Sequence, residues 1–271
     1  MQRQVADQMP PPLSRREERL LRSLSLRKHR EAEGLFLAEG VRAVEDLAAS
    51  PLAVSLVAVS SSLGDSERGE LLLQALEAQG VPLRLAGDRE LRELAGTEHP
   101  QGVLAAAAIP RHGLAGILVD REPGVILVLD AVQDPGNFGT LVRTAEALGA
   151  AGVVALPGTV DPWNPKSVRA AMGSSFRLPI VAAEWGELAP WLAEREIASV
   201  AAVVGAPPLS APLPARAALV LGNEGAGVGE ETLANAALRA GIPLRGRAES
   251  LNVGAAGAIL LYELLRNDAR G

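Results

Sequence analysis

A chain of 271 residues that is 48% hydrophobic and 21% charged is long enough for two domains and has the make-up of a folded protein. It contains no cysteine, which excludes a disulfide framework, a Cys-ligated zinc or iron–sulfur centre and a thiolate nucleophile. His29, His99 and His112 lie far apart and form no HExxH or HxH pattern, so no catalytic metal is expected. The formal charge of −6 argues at face value against a nucleic-acid partner. Yet Lys28 and Lys166 are the only lysines among 26 basic residues. The positive charge is therefore carried by arginine, whose planar fork grips phosphate best, although a GC-rich genome would produce the same bias. The start of the chain is polar and proline-rich without a signal-peptide core, and no run approaches the roughly 18 apolar residues of a membrane span. The expectation is a soluble, cytoplasmic protein.

In chain order, residues 14–30 read as one basic helix carrying Arg15, Arg16, Arg19, Arg22, Arg27, Lys28 and Arg30 against Glu17 and Glu18. This is either a phosphate-facing patch or a solvated helix face with Leu20, Leu21 and Leu24 on its other side. Short units follow: apolar Leu35–Leu37, helical Val41–Ala49, apolar Leu56–Val59, helical Glu67–Gln79, apolar Leu83–Ala86, helical Asp88–Ala95 and apolar Gly102–Ile109. Their alternation predicts a small α/β layer. Pro110-Arg111-His112-Gly113 breaks the pattern, which places a domain boundary at residue 112 and makes 113–271 the second domain. There the apolar runs are longer, as strands buried on both faces of a parallel sheet require: Val125–Leu129, Gly152–Leu156, Leu178–Val181, Val200–Val204, Ala217–Leu221 and Gly241–Leu244. Helices are expected at Thr140–Leu148, Ser167–Met172, Leu188–Arg195, Glu231–Arg239 and Ser250–Leu265.

Three polar clusters follow apolar strands, the position at which open α/β sheets bind ligands. The first runs from Leu129 to Thr140 into a helix bearing Arg143 and Glu146, with Asn137 placed where an N-cap belongs. The second, Leu221-Gly222-Asn223-Glu224-Gly225-Ala226-Gly227-Val228-Gly229, is glycine-dense and invites a dinucleotide-binding reading, but G-x-G-x-x-G fails at Glu230. Its glycines imply close backbone approach to something. The third joins Gly241-Ile242-Pro243-Leu244 through Arg245–Glu249 to Ser250-Leu251-Asn252-Val253, with Ser250 reading as the cap of the last helix. Each cluster alone is equally well explained by caps, turns and a buried C-terminal helix.

Taken in order, Asp134-Pro135-Gly136-Asn137-x-Gly139-x-x-x-Arg143, Leu221-Gly222-Asn223-Glu224-Gly225-x-Gly227 and Ile242-Pro243-Leu244 with Ser250-Leu251-Asn252-Val253 resemble the three motifs of the SpoU (TrmH-like) branch of the SPOUT RNA 2′-O-ribose methyltransferases. The resemblance spans roughly residues 120–271, including Asp161-Pro162-x-x-Pro165-Lys166-x-x-Arg169-Ala170-x-x-Gly173. Phe36-Leu37-Ala38-Glu39-Gly40 and His99-Pro100-Gln101-Gly102-Val103 resemble the ribosomal-protein-like substrate-binding domain that precedes many such catalytic domains. Leu244 and Gly254 depart mildly from the usual pattern.

The resemblance implies S-adenosylmethionine-dependent methylation of a ribose 2′-hydroxyl in RNA, ribosomal RNA ahead of transfer RNA. It implies a mostly parallel catalytic sheet whose C-terminal segment threads a trefoil knot, and a homodimer with its active sites at the interface. It assigns Leu221, Gly222, Ile242, Leu251 and Val253 to the cofactor. It gives Arg143 the ribose hydroxyl, surrounded by Asn137, Glu224, Ser250 and Asn252. Arg15, Arg16 and Arg19 of the basic helix, with Lys166 and Arg169, are candidate RNA contacts. An NAD-type oxidoreductase built on Gly225–Gly229 and a non-catalytic RNA-binding relative are the readings from other classes.

Overall fold

The structure, a computed structural model, describes residues 9–95, 101–120, 124–210 and 212–266; His99-Pro100 of the sequence reading lies outside them. The chain forms two compact units, Met1–Pro110 together with Trp163–Arg169, and Arg111–Pro162 together with Ala170–Gly271. The segment Trp163–Arg169, from the second half of the chain, thus belongs to the first unit, where Trp163 packs its ring 4.6 Å from that of Phe36.

The first unit contains α1 (Arg15–Ser23), α2 (Arg27–Glu33), β1 (Leu35–Glu39), α3 (Val41–Ala48), β2 (Val54–Val59), α4 (Glu67–Ala78), β3 (Leu83–Leu85), α5 (Asp88–Ala95) and β4 (Val103–Ala108). Its sheet has the order β1-β4-β2-β3, with β4 antiparallel to both neighbours and β3 parallel to β2. The single basic helix expected over 14–30 is two helices. Ser14 and Glu17 form a reciprocal capping box that starts α1, and the chain turns after Leu24. The break holds because Arg30, buried at 2% exposure, donates from Nη1 to the carbonyls of Leu24 and Ser25, both at 2.8 Å. Those carbonyls would otherwise be orphaned at a helix end. Leu21 and Leu24 turn inward to the core.

The second unit contains β5 (Gly124–Leu129), α6 (Pro135–Leu148), β6 (Gly152–Ala155), the end of α7 (Pro165–Ala171), β7 (Ile180–Ala182), α8 (Trp185–Glu194), β8 (Ala198–Ala202), β9 (Arg216–Leu221), α9 (Glu230–Asn235), β10 (Leu238–Ala240) and α10 (Val253–Leu265). Six strands pair in parallel in the order β10-β8-β9-β5-β6-β7. All six residues of β5 are buried, because alternate side chains enter two cores. Leu127 and Leu129 pack with Phe138, Leu141 and Leu261 of α6 and α10, while Ile126 and Val128 pack with Trp185, Leu188 and Trp191 of α8.

Two sequence expectations fail near the C-terminus. The helix expected over Glu231–Arg239 ends at Asn235, and Leu238–Ala240 becomes β10 beside Val200–Ala202 of β8. The strand expected at Gly241–Leu244 is irregular chain. An open edge of β8 supplies backbone partners that no local propensity encodes. The chain then leaves the sheet at Gly241, whose N–H donates to the Pro207 carbonyl at 2.8 Å and where a Cβ would lie 2.4 Å from the Ala206 carbonyl oxygen. The helix caps also move. Asp134, not Asn137, caps α6, with Pro135 in its first turn, and Asn252, not Ser250, caps α10 by accepting from the N–H groups of Gly254 and Ala255. Among the described residues no helix is long and apolar enough to cross a membrane.

Candidate active site

A cavity of about 450 Å³ opens where the chain leaves β8, β9 and β10. Leu221, Gly222, Ile242, Leu251 and Val253, the five residues assigned to the cofactor, all line it, and so do Glu224 and Ser250. Its wall is largely backbone because the loop after β9 folds back on itself. Asn223 and Gly227 exchange backbone hydrogen bonds at 2.8 and 2.9 Å, and a Cβ on Gly222 would lie 2.2 Å from the backbone of Gly227 and Val228. Gly227 has φ +74°, the left-handed region open to glycine at little cost.

The side chains that sequence reasoning placed in three separate motifs form one hydrogen-bonded chain. Asn252 donates from Nδ2 to Asn137 Oδ1 at 2.9 Å, and Asn137 donates from its own Nδ2 to Glu224 Oε1 at 3.0 Å. Glu224 also accepts from the backbone N–H groups of Gln133 and Asp134 at 3.3 and 3.2 Å. Asn137 is therefore fixed in orientation, amide toward the carboxylate and carbonyl toward Asn252.

Two residues of this framework were missed in the sequence. Asp134 accepts the Asn137 N–H at 2.8 Å, and its position directly before a proline at a helix start was the available signal. Asn223 accepts from the N–H groups of Gly225 and Ala226 at 2.9 and 3.0 Å and donates to the Ala131 carbonyl at 2.9 Å, tying the second motif's loop to the first's. Nothing local distinguishes it from an ordinary turn asparagine.

Arg143 is not gathered with these groups in the protomer. Six residues along a helix is about 240° of rotation, so it leaves α6 on a different face from Asn137. It lines a separate depression with Thr140, Thr144, Ala258 and Tyr262, and its Nη1 donates to Met172 Sδ at 3.0 Å. Met172 and Tyr262 are exposed there.

Residues 124–262 match the SpoU rRNA Methylase family. The chain belongs to this family. Residues 19–105 match the MRM3-like substrate binding domain. Among relatives, the 23S rRNA (guanosine(2553)-2'-O)-methyltransferase RlmP of Bacillus subtilis is 35% identical over 90% of this chain and 93% of its own length. The 23S rRNA (uridine(2479)-2'-O)-methyltransferase of Streptomyces viridochromogenes is 30% identical over 92% of this chain and 88% of its own. The crystal structure of the SpoU methyltransferase AviRb from S. viridochromogenes in complex with the cofactor AdoMet superposes with a TM-score of 0.84 at 28% identity, covering 95% of this chain and 99% of that one.

In this family member the expected RNA contacts divide by availability. Arg15, Arg16 and Arg19 lie on α1 and are all exposed, whereas Arg22 is paired with Glu18 and Glu93, Arg27 with Glu31, and Arg30 is buried. On α7, Lys166 is exposed, while Arg169 Nη1 pairs with Glu39 at 2.8 Å.

Burial pushes the Glu224 carboxyl up, but the hydrogen bonds from the Asn137 amide and from backbone N–H groups, those of Asp134 and Gln133 included, outweigh it and hold the group below the usual carboxylate range. A depressed folded pKa stabilises the fold above the ordinary carboxylate pKa, and that stabilisation is lost as pH falls through the depressed value. Glu224→Gln is therefore expected to lower the melting midpoint at pH 7 and to converge with wild type in acid. A gap that stays constant between pH 7 and pH 3 would remove the carboxylate as its cause.

Proposed function

We propose that this protein transfers a methyl group from S-adenosylmethionine to a ribose 2′-hydroxyl of ribosomal RNA. The observation that carries the reading is the convergence of three strand-end loops, which puts the Asn252–Asn137–Glu224 chain together with the cavity lined by the five candidate cofactor residues. The names and activities of the relatives support it, as does the AdoMet-bound neighbour.

The residues present fit such a cofactor. The cavity is in the range of about 300–1,000 Å³ usual for small-molecule sites. Leu221, Ile242, Leu251 and Val253 offer apolar surface, and the backbone of the Gly222–Val228 loop offers hydrogen-bonding groups to a nucleoside. When bound, S-adenosylmethionine would supply an electrophilic methyl group on a sulfonium. The protein's task is then to place the acceptor oxygen in line at near-attack distance. Glu224, Asn137, Ser250 and Asn252 would form the polar edge that holds the ribose. Arg143, a cationic guanidinium, would steady the neighbouring phosphate and the developing alkoxide.

Arg143 faces away from that edge in the protomer, so in this reading a second copy of the chain would complete the site and cover the exposed Tyr262 and Met172 beside Arg143. The reading therefore includes a homodimer with shared active sites. The trefoil knot belongs to the same reading, supported by the way Gly241 is pinned to Pro207 before the chain returns to α10 against α6 and β9. Residues 1–112 would bind RNA and 113–271 carry out transfer, in the cytoplasm where ribosomal RNA is modified.

The deciding experiment incubates the protein with labelled S-adenosylmethionine and ribosomal RNA and maps alkali-resistant linkages, since a 2′-O-methyl group removes the nucleophile for strand scission. Label in a base, or in no RNA, overturns the reading; label only in transfer RNA moves the substrate. Thermal stabilisation by NAD and not by S-adenosylmethionine would assign the cavity to oxidoreductase chemistry.

For the first unit, reversing Arg15, Arg16 and Arg19 to glutamate is expected to weaken RNA binding and flatten its salt dependence. For every phosphate that these arginines neutralise in the wild type, the log–log slope should fall by about 0.7–0.9. A filter-binding titration across salt concentrations measures it, and an unchanged slope would return α1 to a solvated surface helix.

A further inference from the structure

The function just proposed does not use Asp130, a carboxylate of the first polar cluster. Asp130 follows β5 directly and stands beside the glycine loop at both of the loop's ends. Its backbone N–H donates to the Leu221 carbonyl at 2.8 Å, where the loop begins, and its Oδ2 accepts from the Gly229 N–H at 2.7 Å, where the loop ends. The same Oδ2 accepts from the Thr232 hydroxyl at 2.6 Å, and that hydroxyl oxygen accepts from Trp185 Nε1 at 3.0 Å. Thr232 and Trp185 are buried, at 1% and 5% exposure. A chain of directed hydrogen bonds therefore runs from the core beneath α8, through the first turn of α9, to the loop that walls the cavity.

We propose that Asp130 is the positioning residue for the cofactor loop, closing Gly222–Gly229 into its binding shape and anchoring it to the α8 side of the sheet. The need for such an anchor is physical. A loop with glycine at 222, 225, 227 and 229 loses more conformational entropy on ordering than a loop of the same length without glycine. A charged acceptor shared by the loop's last N–H and a buried hydroxyl fixes the loop's end point. Gly229 also sits close to its anchor, since a Cβ there would be 3.3 Å from Asp130 Oδ2. Asp130 does not itself line the cavity, and its side chain is not a partner in the Asn252–Asn137–Glu224 hydrogen bonds, so its effect should reach binding of the cofactor and leave the transfer step alone.

The proposal rests on S-adenosylmethionine being the cavity's ligand, and its test separates the two. Hydrogen exchange of residues 222–229 is measured without ligand on wild type, Asp130→Ala and Asp130→Asn. S-adenosylmethionine affinity is measured by calorimetry, and KM and kcat by methyl transfer to ribosomal RNA. Asp130→Ala should speed loop exchange and weaken S-adenosylmethionine binding about tenfold or more, the consequence of losing hydrogen bonds to a charged group. Asp130→Asn, which keeps the shape and loses the charge, should weaken it about threefold and carries the test if the alanine variant does not fold. KM for S-adenosylmethionine should rise in step while kcat at saturation stays near wild type. Thr232→Ser, which retains the hydroxyl, should behave as wild type. Unchanged loop exchange with unchanged affinity overturns the proposal, and so does a fall in kcat at unaltered KM. If wild type itself does not bind S-adenosylmethionine, the functional reading fails, while loop exchange still decides whether Asp130 orders the loop.

Discussion

Replacing Arg143 with alanine is expected to reduce methyl transfer by about 10²–10³-fold, the usual cost of removing one preorganised charge stabiliser, while S-adenosylmethionine affinity stays close to wild type. The separation of effects follows from geometry. Arg143 lines its own depression with Thr140, Thr144 and Tyr262 and has no place in the lining of the cavity that would take the cofactor. Its protomer offers it a weak thioether acceptor, Met172 Sδ, in place of a carboxylate, which leaves the guanidinium's charge available to a phosphate or an alkoxide. Steady-state kinetics and calorimetry on the variant check both halves, and a large loss of cofactor affinity would refute the role. A mixing experiment tests where Arg143 acts. If each site combines Arg143 of one copy with Asn137 of the other, a mixed dimer of Arg143→Ala and Asn137→Ala chains contains one intact site and recovers turnover that neither parent has. If both residues act within one copy, the mixture stays inactive.

Gly222→Ala is expected to weaken S-adenosylmethionine binding about tenfold to a hundredfold without unfolding the protein. The new Cβ would sit 2.2 Å from backbone atoms of Gly227 and Val228, and a rigid loop cannot absorb that as a flexible side chain would. Overpacking of this kind costs about 1–3 kcal/mol, and here it is relieved by opening the Asn223–Gly227 turn that shapes the cavity wall. The sheet is spared because β9 ends at Leu221. Calorimetry gives the affinity and circular dichroism the fold; wild-type affinity would mean that the loop is not the binding wall. Gly225→Ala is the matched control, since a Cβ there meets only the Asn223 side chain at 3.6 Å.

The periodic parts of this protein were legible in its sequence. Val125–Leu129 and Ala217–Leu221 read as strands buried on both faces, and they are adjacent parallel strands with side chains in two cores. The three polar clusters were legible as well, because glycine, proline and capping residues punctuate a chain for local steric reasons, although the strand expected to lead into the third is irregular. What failed was the non-local part. Residues 238–240 become a strand only because β8 has an open edge, and the basic helix divides after Leu24 only because Arg30 folds back to bond the freed carbonyls.

By itself, then, the sequence determined which segments are strands and helices through much of the sheet, that the chain carries no cysteine thiol, and which motifs carry polar groups. Only the tertiary structure decided that Asn137, Glu224 and Asn252 touch, that Arg143 does not join them within one protomer, and that Asp130 grips both ends of the glycine loop. The physical reason is distance along the chain. Helical phase and strand alternation are set by neighbours a few residues apart, whereas a hydrogen bond between positions 87 or 115 residues apart exists only once the parallel sheet has aligned the carboxyl ends of its strands.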